Sequence, residues 1–350
     1  MRPLSFVQAF AGGRRPYEAR MRALLALLLV LLLVPGWSGE EPPALPGDGG
    51  RLRARRVALH PDDPRVARTG RLTYLGGVEL SADDEVFGGF SALRVAGERF
   101  VLLSDGGAVL SFRMGADWRP RGARLFALPA GPGTGWRKHH RDSESLAHDP
   151  GSGRWWVAFE HHNQIWRYGP GFTRAARGRA PPAMARWPSG GGPEAMTLLR
   201  DGRFVLIGES ARPARGRDGK RPRARVGLIF GRDPTDPAAR PEPFTYRNAE
   251  GYNPVDMAEL PGGGVLVLER GFDLPFRWLS RVVRVGPGAI RPGAAVAGAE
   301  VARLGAPLIA DNFEGIAVAE EGGRTVVWLL SDDNQMPIQR TLLLKFALEG

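Results

Sequence analysis

The sequence contains no cysteine. That absence excludes a disulfide framework, a thiolate metal site and a cysteine-linked lipid anchor, so packing must hold the fold together. Serine-nucleophile signatures are missing too, since neither G-x-S-x-G nor S-x-x-K occurs. The glycine pairs Gly76-Gly77 and Gly88-Gly89 and the triplet Gly190-Gly191-Gly192 do not open a helix after a strand, which argues against a phosphate-binding loop or a dinucleotide fold. Segments with a sustained helical period are few. What remains is 48 glycines, 30 prolines and 43% hydrophobic residues, the composition of short strands joined by turns around an ample core.

Long apolar runs are scarce as well. The clearest, 23–34, follows Met21-Arg22 and precedes Pro35-Gly36-Trp37-Ser38-Gly39. Twelve residues are too few to span a bilayer, and a charged start, an apolar run and a small-residue stop make up a secretory signal over 1–39. This predicts export to the periplasm or beyond, with no stable membrane span after cleavage and with Met21 as an alternative start. Trp37 fits neither small position of a cleavage site, so the cut itself is not fixed. The formal charge of +11 overstates the mature chain, because a cut near Gly36 removes five arginines against Glu18 alone and leaves about +7. The basic tract 212–225 (RPARGRDGKRPRAR) has no interleaved aromatics and is broken by Pro and Gly, so it reads as a solvated loop and no nucleic-acid partner is expected.

After a leader at 40–69 the chain repeats itself. A polar mouth, a short apolar strand, a tight turn, a second apolar strand and a closing acid recur five times. Aligned on Leu93, Leu146, Met196, Met257 and Ile316, the spacings are 53, 50, 61 and 59 residues. Four short strands at such a period predict an all-β chain, a β-propeller over 70–350 with five four-stranded blades. The fifth unit supplies only three strands, so the orphan strand at 72–80 is expected to close the last blade. Six blades and a two-sheet sandwich are the competing arrangements.

In a propeller the start of each inner strand and the end of the next lie on one face. The repeat therefore gathers two sets of residues at one mouth of the channel. Ser91, Glu144, Glu194, Asp256 (one position later than the others) and Glu314 form the first set, and Asp105, Glu160, Glu209, Glu269 and Asp332 the second. So many carboxylates need counter-charge, and oxygen ligands suit Ca²⁺ or Mg²⁺. The bland alternative is that each acid caps a turn or bonds a neighbouring blade. Of the six histidines, His139-His140 and His161-His162 flank the second unit at the same rim, beside Lys138 and Arg141. His140 and His161 are candidates for general acid and base work with Glu144, Glu194 and Glu314. Lys138, Arg141 and Arg270, with Asn253 and Asn312, are candidates for binding an anionic group. Asp105, Glu160, Glu209, Asp256, Glu269 and Asp332 are the candidate metal ligands.

The motifs Phe87-Gly88-Gly89-Phe90-Ser91, Ser104-Asp105-Gly106-Gly107, Glu194-Ala195-Met196, Asn253-Pro254-Val255-Asp256-Met257 and Asp311-Asn312-Phe313-Glu314-Gly315-Ile316, in this order, give the chain a family likeness. Over about 70–348 it resembles the phytase-like family of exported bacterial proteins described as having esterase-like activity. The resemblance implies a hydrolase-like propeller acting on phosphate or other esters with Ca²⁺. Ser91 and Val255 depart from it, replacing the motif glutamate in two units. The expectation is an exported, monomeric, metal-assisted hydrolase of a small anionic or ester substrate. The alternative is a non-catalytic ligand-binding or scaffold propeller of the cell envelope.

Overall fold

The computed structural model describes residues 21, 24, 25, 46, 47, 50–135, 138–216, 219, 222–274 and 277–350. The signal reading over 1–39 falls almost wholly outside them. Among the described residues, no helix is long and apolar enough to cross a membrane.

The unit 41–350 is a five-bladed β-propeller. The first blade is Phe90–Ala96, Arg99–Ser104, Ala108–Met114 and Pro120–Ala127. The second is Ser143–Asp149, Arg154–Phe159, Gln164–Tyr168 and Ala175–Arg179. The third is Ala195–Leu198, Phe204–Ile207, Arg225–Phe230 and Glu242–Tyr246, and the fourth Tyr252–Glu259, Val265–Asp273, Arg277–Val285 and Ala299–Leu304. The fifth begins with Asn312–Glu321, Arg324–Asp332 and Thr341–Leu348. Its fourth strand is Leu72–Ser81, antiparallel to Thr341–Leu348 from Thr341 opposite Leu80 to Leu348 opposite Leu72. The early strand thus closes the last blade as expected. The leader also contributes, with Arg53–Arg56 and Arg68–Thr69 pairing onto that closing strand.

The first strand of each blade packs against the first strands of its two neighbours, and the fifth returns to the first. Because every blade is covered on both faces, its strands are apolar at successive positions and not merely alternating, as in the fully buried Phe204–Ile207. The core is accordingly divided into five clusters, one at each blade junction. Gly315 belongs to this packing. A Cβ there would stand 3.0 Å from Leu93 Cβ in the first blade and 3.1 Å from Leu330 Cβ, so glycine permits the close approach of the fifth blade to the first.

The outermost strands were the hardest to read. Apolar residues at 184–187 suggest a strand, yet Pro182–Met184 is a 3₁₀ turn and the strand is the earlier, largely exposed Ala175–Arg179. Pro181-Pro182 supplies no ladder donors, whereas an outer edge needs no apolar alternation.

Candidate functional site

A repeated backbone irregularity builds the acidic mouth. In the first, second, fourth and fifth blades the register between the first two strands slips by one residue, at Ser91, Glu144, Val255 and Glu314. In the third blade pairing starts at Ala195, just after Glu194. A bulge leaves its extra residue out of the ladder and re-aims the side chain. In four blades the motif position is therefore the bulge position and in the third it stands just before the ladder, and at three blades it holds a buried glutamate: Glu144, Glu194 and Glu314.

Those glutamates converge with the acids that close the second strands. Asp142, Glu144 and Glu160 can each offer a carboxylate oxygen within 4.8 Å of the others, and so can Glu160, Glu194 and Glu209. The two triads share Glu160. Its Oε1 accepts backbone N–H bonds from Gly191 and, at 3.2 Å, from Gly192. Gly191 has φ +84, and a Cβ there would lie 2.2 Å from Ser210 Oγ and 2.9 Å from Glu209 Oε2, so only glycine lets this loop sit against the acids.

Crowding shows in the titration of the group. Burial, then the charges of Asp142, Glu160 and Asp105, push the Glu144 carboxyl well above the usual carboxylate range, and the Ser91 hydroxyl pulls against them. Burial, then Glu144, Glu209 and Glu160, raise Glu194 in the same way, against Arg270. Asp332 is pushed up to about 7 by burial and by Asp105, although its Oδ1 accepts the Asn334 N–H at 2.7 Å. Arg270 is the cation set among these acids. It donates to Glu314, to Glu209 at 2.9 Å and to Asn312 Oδ1 at 3.0 Å, while Asn312 Nδ2 donates to Glu314 at 2.9 Å.

Beside the second blade the four imidazoles of His139, His140, His161 and His162 gather, with ring centroids 4.6 to 6.3 Å apart. His161 Nδ1 lies 3.7 Å from Asp142 Oδ2, which ties the histidines to the first triad. Burial and the three neighbouring rings hold His162 below the ordinary histidine range. Lys138 begins the turn Lys138–His140, and its side chain lies outside the described residues.

Several expected members do not join the cluster. Asp256 is fully buried further down the channel, where it accepts from Arg94 Nη1 at 3.1 Å, from the Ile316 N–H at 2.9 Å and from the Met257 N–H at 2.8 Å. Val255 fills the bulge, so the next residue faces the opposite way. Glu269 turns between the blades, accepting from Tyr246 Oη and Arg281 Nη1, each at 2.8 Å. It lies inside the nine-residue strand Val265–Asp273 and follows its alternation, whereas Asp105, Glu160 and Glu209 come after their strands end. Asn253 accepts from Arg225 and faces that residue. Arg141 donates to the carbonyls of Pro132 at 3.0 Å and His140 at 3.3 Å, so it braces its own loop.

Asp142 was visible in the sequence only as the start of the second motif. Its ladder position carries the signal, because Asp142 stands two residues before its bulge, as Asn312 does before Glu314. Arg94 gave none, since it interrupts an apolar strand and its partner Asp256 is 162 residues away.

Residues 85–335, a span holding all five motif positions from Ser91 to Glu314, match the phytase-like family, described by the esterase-like activity of phytase. The chain belongs to this family. No curated protein matches this phytase-like chain. Among solved structures, it is similar to the Swd1 β-propeller domain of Myceliophteria thermophila at 9% identity and TM-score 0.40, covering 84% of this chain and 98% of that one. A calcium-binding regucalcin from Agrobacterium tumefaciens matches at 12% and 0.40, covering 78% and 80%. A gluconolactonase from Xanthomonas campestris matches at 15% and 0.36, covering 89% of each. None of these three reaches a TM-score of 0.5, and none bears on the chemistry of the phytase-like mouth.

Proposed function

We propose that the acidic mouth is the centre of a metal-assisted hydrolase acting on phosphate or carboxylic esters of a small anionic substrate, with Ca²⁺ as the cation. The observation that carries this reading is the pair of carboxylate triads sharing Glu160. The donor set fits the ion: it is all oxygen, half-buried to buried, and burial together with the neighbouring carboxylates pushes Glu144 and Glu194 well above the usual carboxylate range. Asp142, Glu144 and Glu160 would hold one cation and Glu160, Glu194 and Glu209 a second.

A bound divalent cation polarises the ester oxygen and acidifies a water. The residues around it do the remaining work. Arg270 holds Glu209 and Glu314 in place, and Asn312 fixes both Arg270 and Glu314. His161, half-exposed beside Asp142, is the proton donor to the departing oxygen, with His140 in the same cluster as its relay. Asp105 and Asp332 add negative charge at the rim without belonging to either triad. The apolar run 23–34 supports export to the periplasm or medium.

Purified protein assayed on aryl phosphate and aryl ester panels, with Ca²⁺ or with chelator, tests the reading. Turnover should need Ca²⁺, and Glu160→Gln should cut it by at least about 100-fold while leaving the fold intact. The absence of turnover under every condition would sink the hydrolase. A second reading, a Ca²⁺-binding propeller without catalysis, is favoured by one observation. Arg141 and Arg270, the two arginines best placed for a substrate anion, are already committed to carbonyls and carboxylates. Ca²⁺ binding without turnover would decide for it.

A further inference from the structure

The opposite end of the channel has the reverse chemistry. A cavity of about 750 Å³ opens there and is lined by the far ends of the inner strands and by the facing sides of the first and second blades. Its size is that of a small-molecule pocket. Arg94 forms its floor, bound below to Asp256 and to the Met196 carbonyl at 2.7 Å, so the cavity is separate from the acidic mouth.

One wall of the cavity is aromatic and comes from the second blade. Trp155 stacks on Phe172 with ring centroids 4.8 Å apart, and Phe126 of the first blade reaches Phe172 at 6.1 Å. The other wall is cationic. Arg99 stands directly opposite Arg113 across two strands of the first blade, and Arg124 stands opposite Ser111 next to them. All three arginines line the cavity and are exposed. Like charges directly opposite on a sheet cost stability. Among the described residues no carboxylate forms an ion pair with Arg99, Arg113 or Arg124, and the contact found for Arg124 is with the Phe126 ring at 5.8 Å. Like charges without a carboxylate partner, at the edge of an aromatic-walled cavity, suit an anion.

We propose that this cavity is a second binding site, for an organic anion whose carboxylate, sulfonate or phosphate sits among Arg99, Arg113 and Arg124 and whose aromatic body lies against Phe126, Trp155 and Phe172. The site is independent of the ester chemistry at the other mouth. The guanidiniums give charge-assisted hydrogen bonds, and the rings remove the ligand body from water.

Anilinonaphthalene sulfonate, an aryl anion, is the probe, and its uncharged relative phenylnaphthylamine is the control. The sulfonate should bind one molecule per chain with enhanced fluorescence. The double variant Arg99→Ala/Arg113→Ala should weaken it by about tenfold or more, leave phenylnaphthylamine binding unchanged, and melt at the same temperature or higher. Ser111→Trp, which fills the groove without altering charge, should block both probes. Equal sulfonate affinity in the double variant overturns the proposal, as does failure of the sulfonate to bind the intact protein. A lowered melting temperature in the double variant would also overturn it, by making the arginines structural.

Discussion

The two ends of one channel solve opposite problems of charge. At one mouth, bulges in the inner strands and the ends of the second strands aim carboxylates at each other, and Arg270 offsets only part of the repulsion. At the other, three arginines come together on three neighbouring strands of the first blade, across a register slip between Ser111 and Arg113, and among the described residues no acid pairs with them. Midway, the buried Asp256 is paired with Arg94, which is itself partly exposed to the cavity above it. The difference teaches that charge is balanced pair by pair at the midpoint and left in like-sign excess at both ends, where a ligand of opposite sign can enter.

The sharpest way to break this comparison is at the midpoint. Arg94→Met strands the buried Asp256, and chemical denaturation should show a loss of about 3 to 5 kcal/mol. Arg94→Met/Asp256→Asn should recover much of it. If the single variant is as stable as the parent, the pair is not what divides the channel.

Removing cations should unbalance the acidic end alone. Glu144, Glu194 and Asp332 have folded-state values above the ordinary carboxylate range, so between about pH 4 and about 7 the folded chain binds more protons than the unfolded one. Their contribution is full below the unfolded value near 4 and falls as pH climbs, that of Asp332 being lost through about 7. In chelator, stability should fall by about 1 to 3 kcal/mol from pH 5 to pH 8, and Ca²⁺ should restore it. A flat profile would mean that the acids do not press on one another.

Packing differs between the ends as well. Gly315→Ala, beside Glu314, must push Leu93 or Leu330 aside and should cost about 1 to 2 kcal/mol in thermal unfolding. Ser111→Ala in the arginine groove meets no such wall and should stay within about 0.5 kcal/mol. Equal costs would show that the two mouths are equally close-packed.

Much of this was legible because repetition amplifies weak signals. Five recurrences exposed the blades, the closing strand at 72–80 and the motif glutamates, even though no single motif is distinctive. What escaped was anything set by which way a strand faces. The sequence places Asp256 one position late, and only the bulge at Val255 explains why that single step sends it down the channel. Glu269 and Arg270 are neighbours, and alternation within a long strand gave the mouth to the arginine. The arginine groove was invisible for another reason: Arg99, Arg113 and Arg124 fall in three different strands, and only the sheet register sets them side by side.

The closing blade carries a mechanical consequence. Leu72 enters the ring directly opposite Leu348, where the chain leaves it. Tension applied between the two ends would first load the short Arg53–Arg56 strand, which starts opposite Ser81, in shear along the closing strand. It would then pull Leu72 and Leu348 apart across the strands, opening the clasp one pair at a time without shearing the whole ladder at once. The closed ring is therefore softest along a single line, the one where Leu72 meets Leu348.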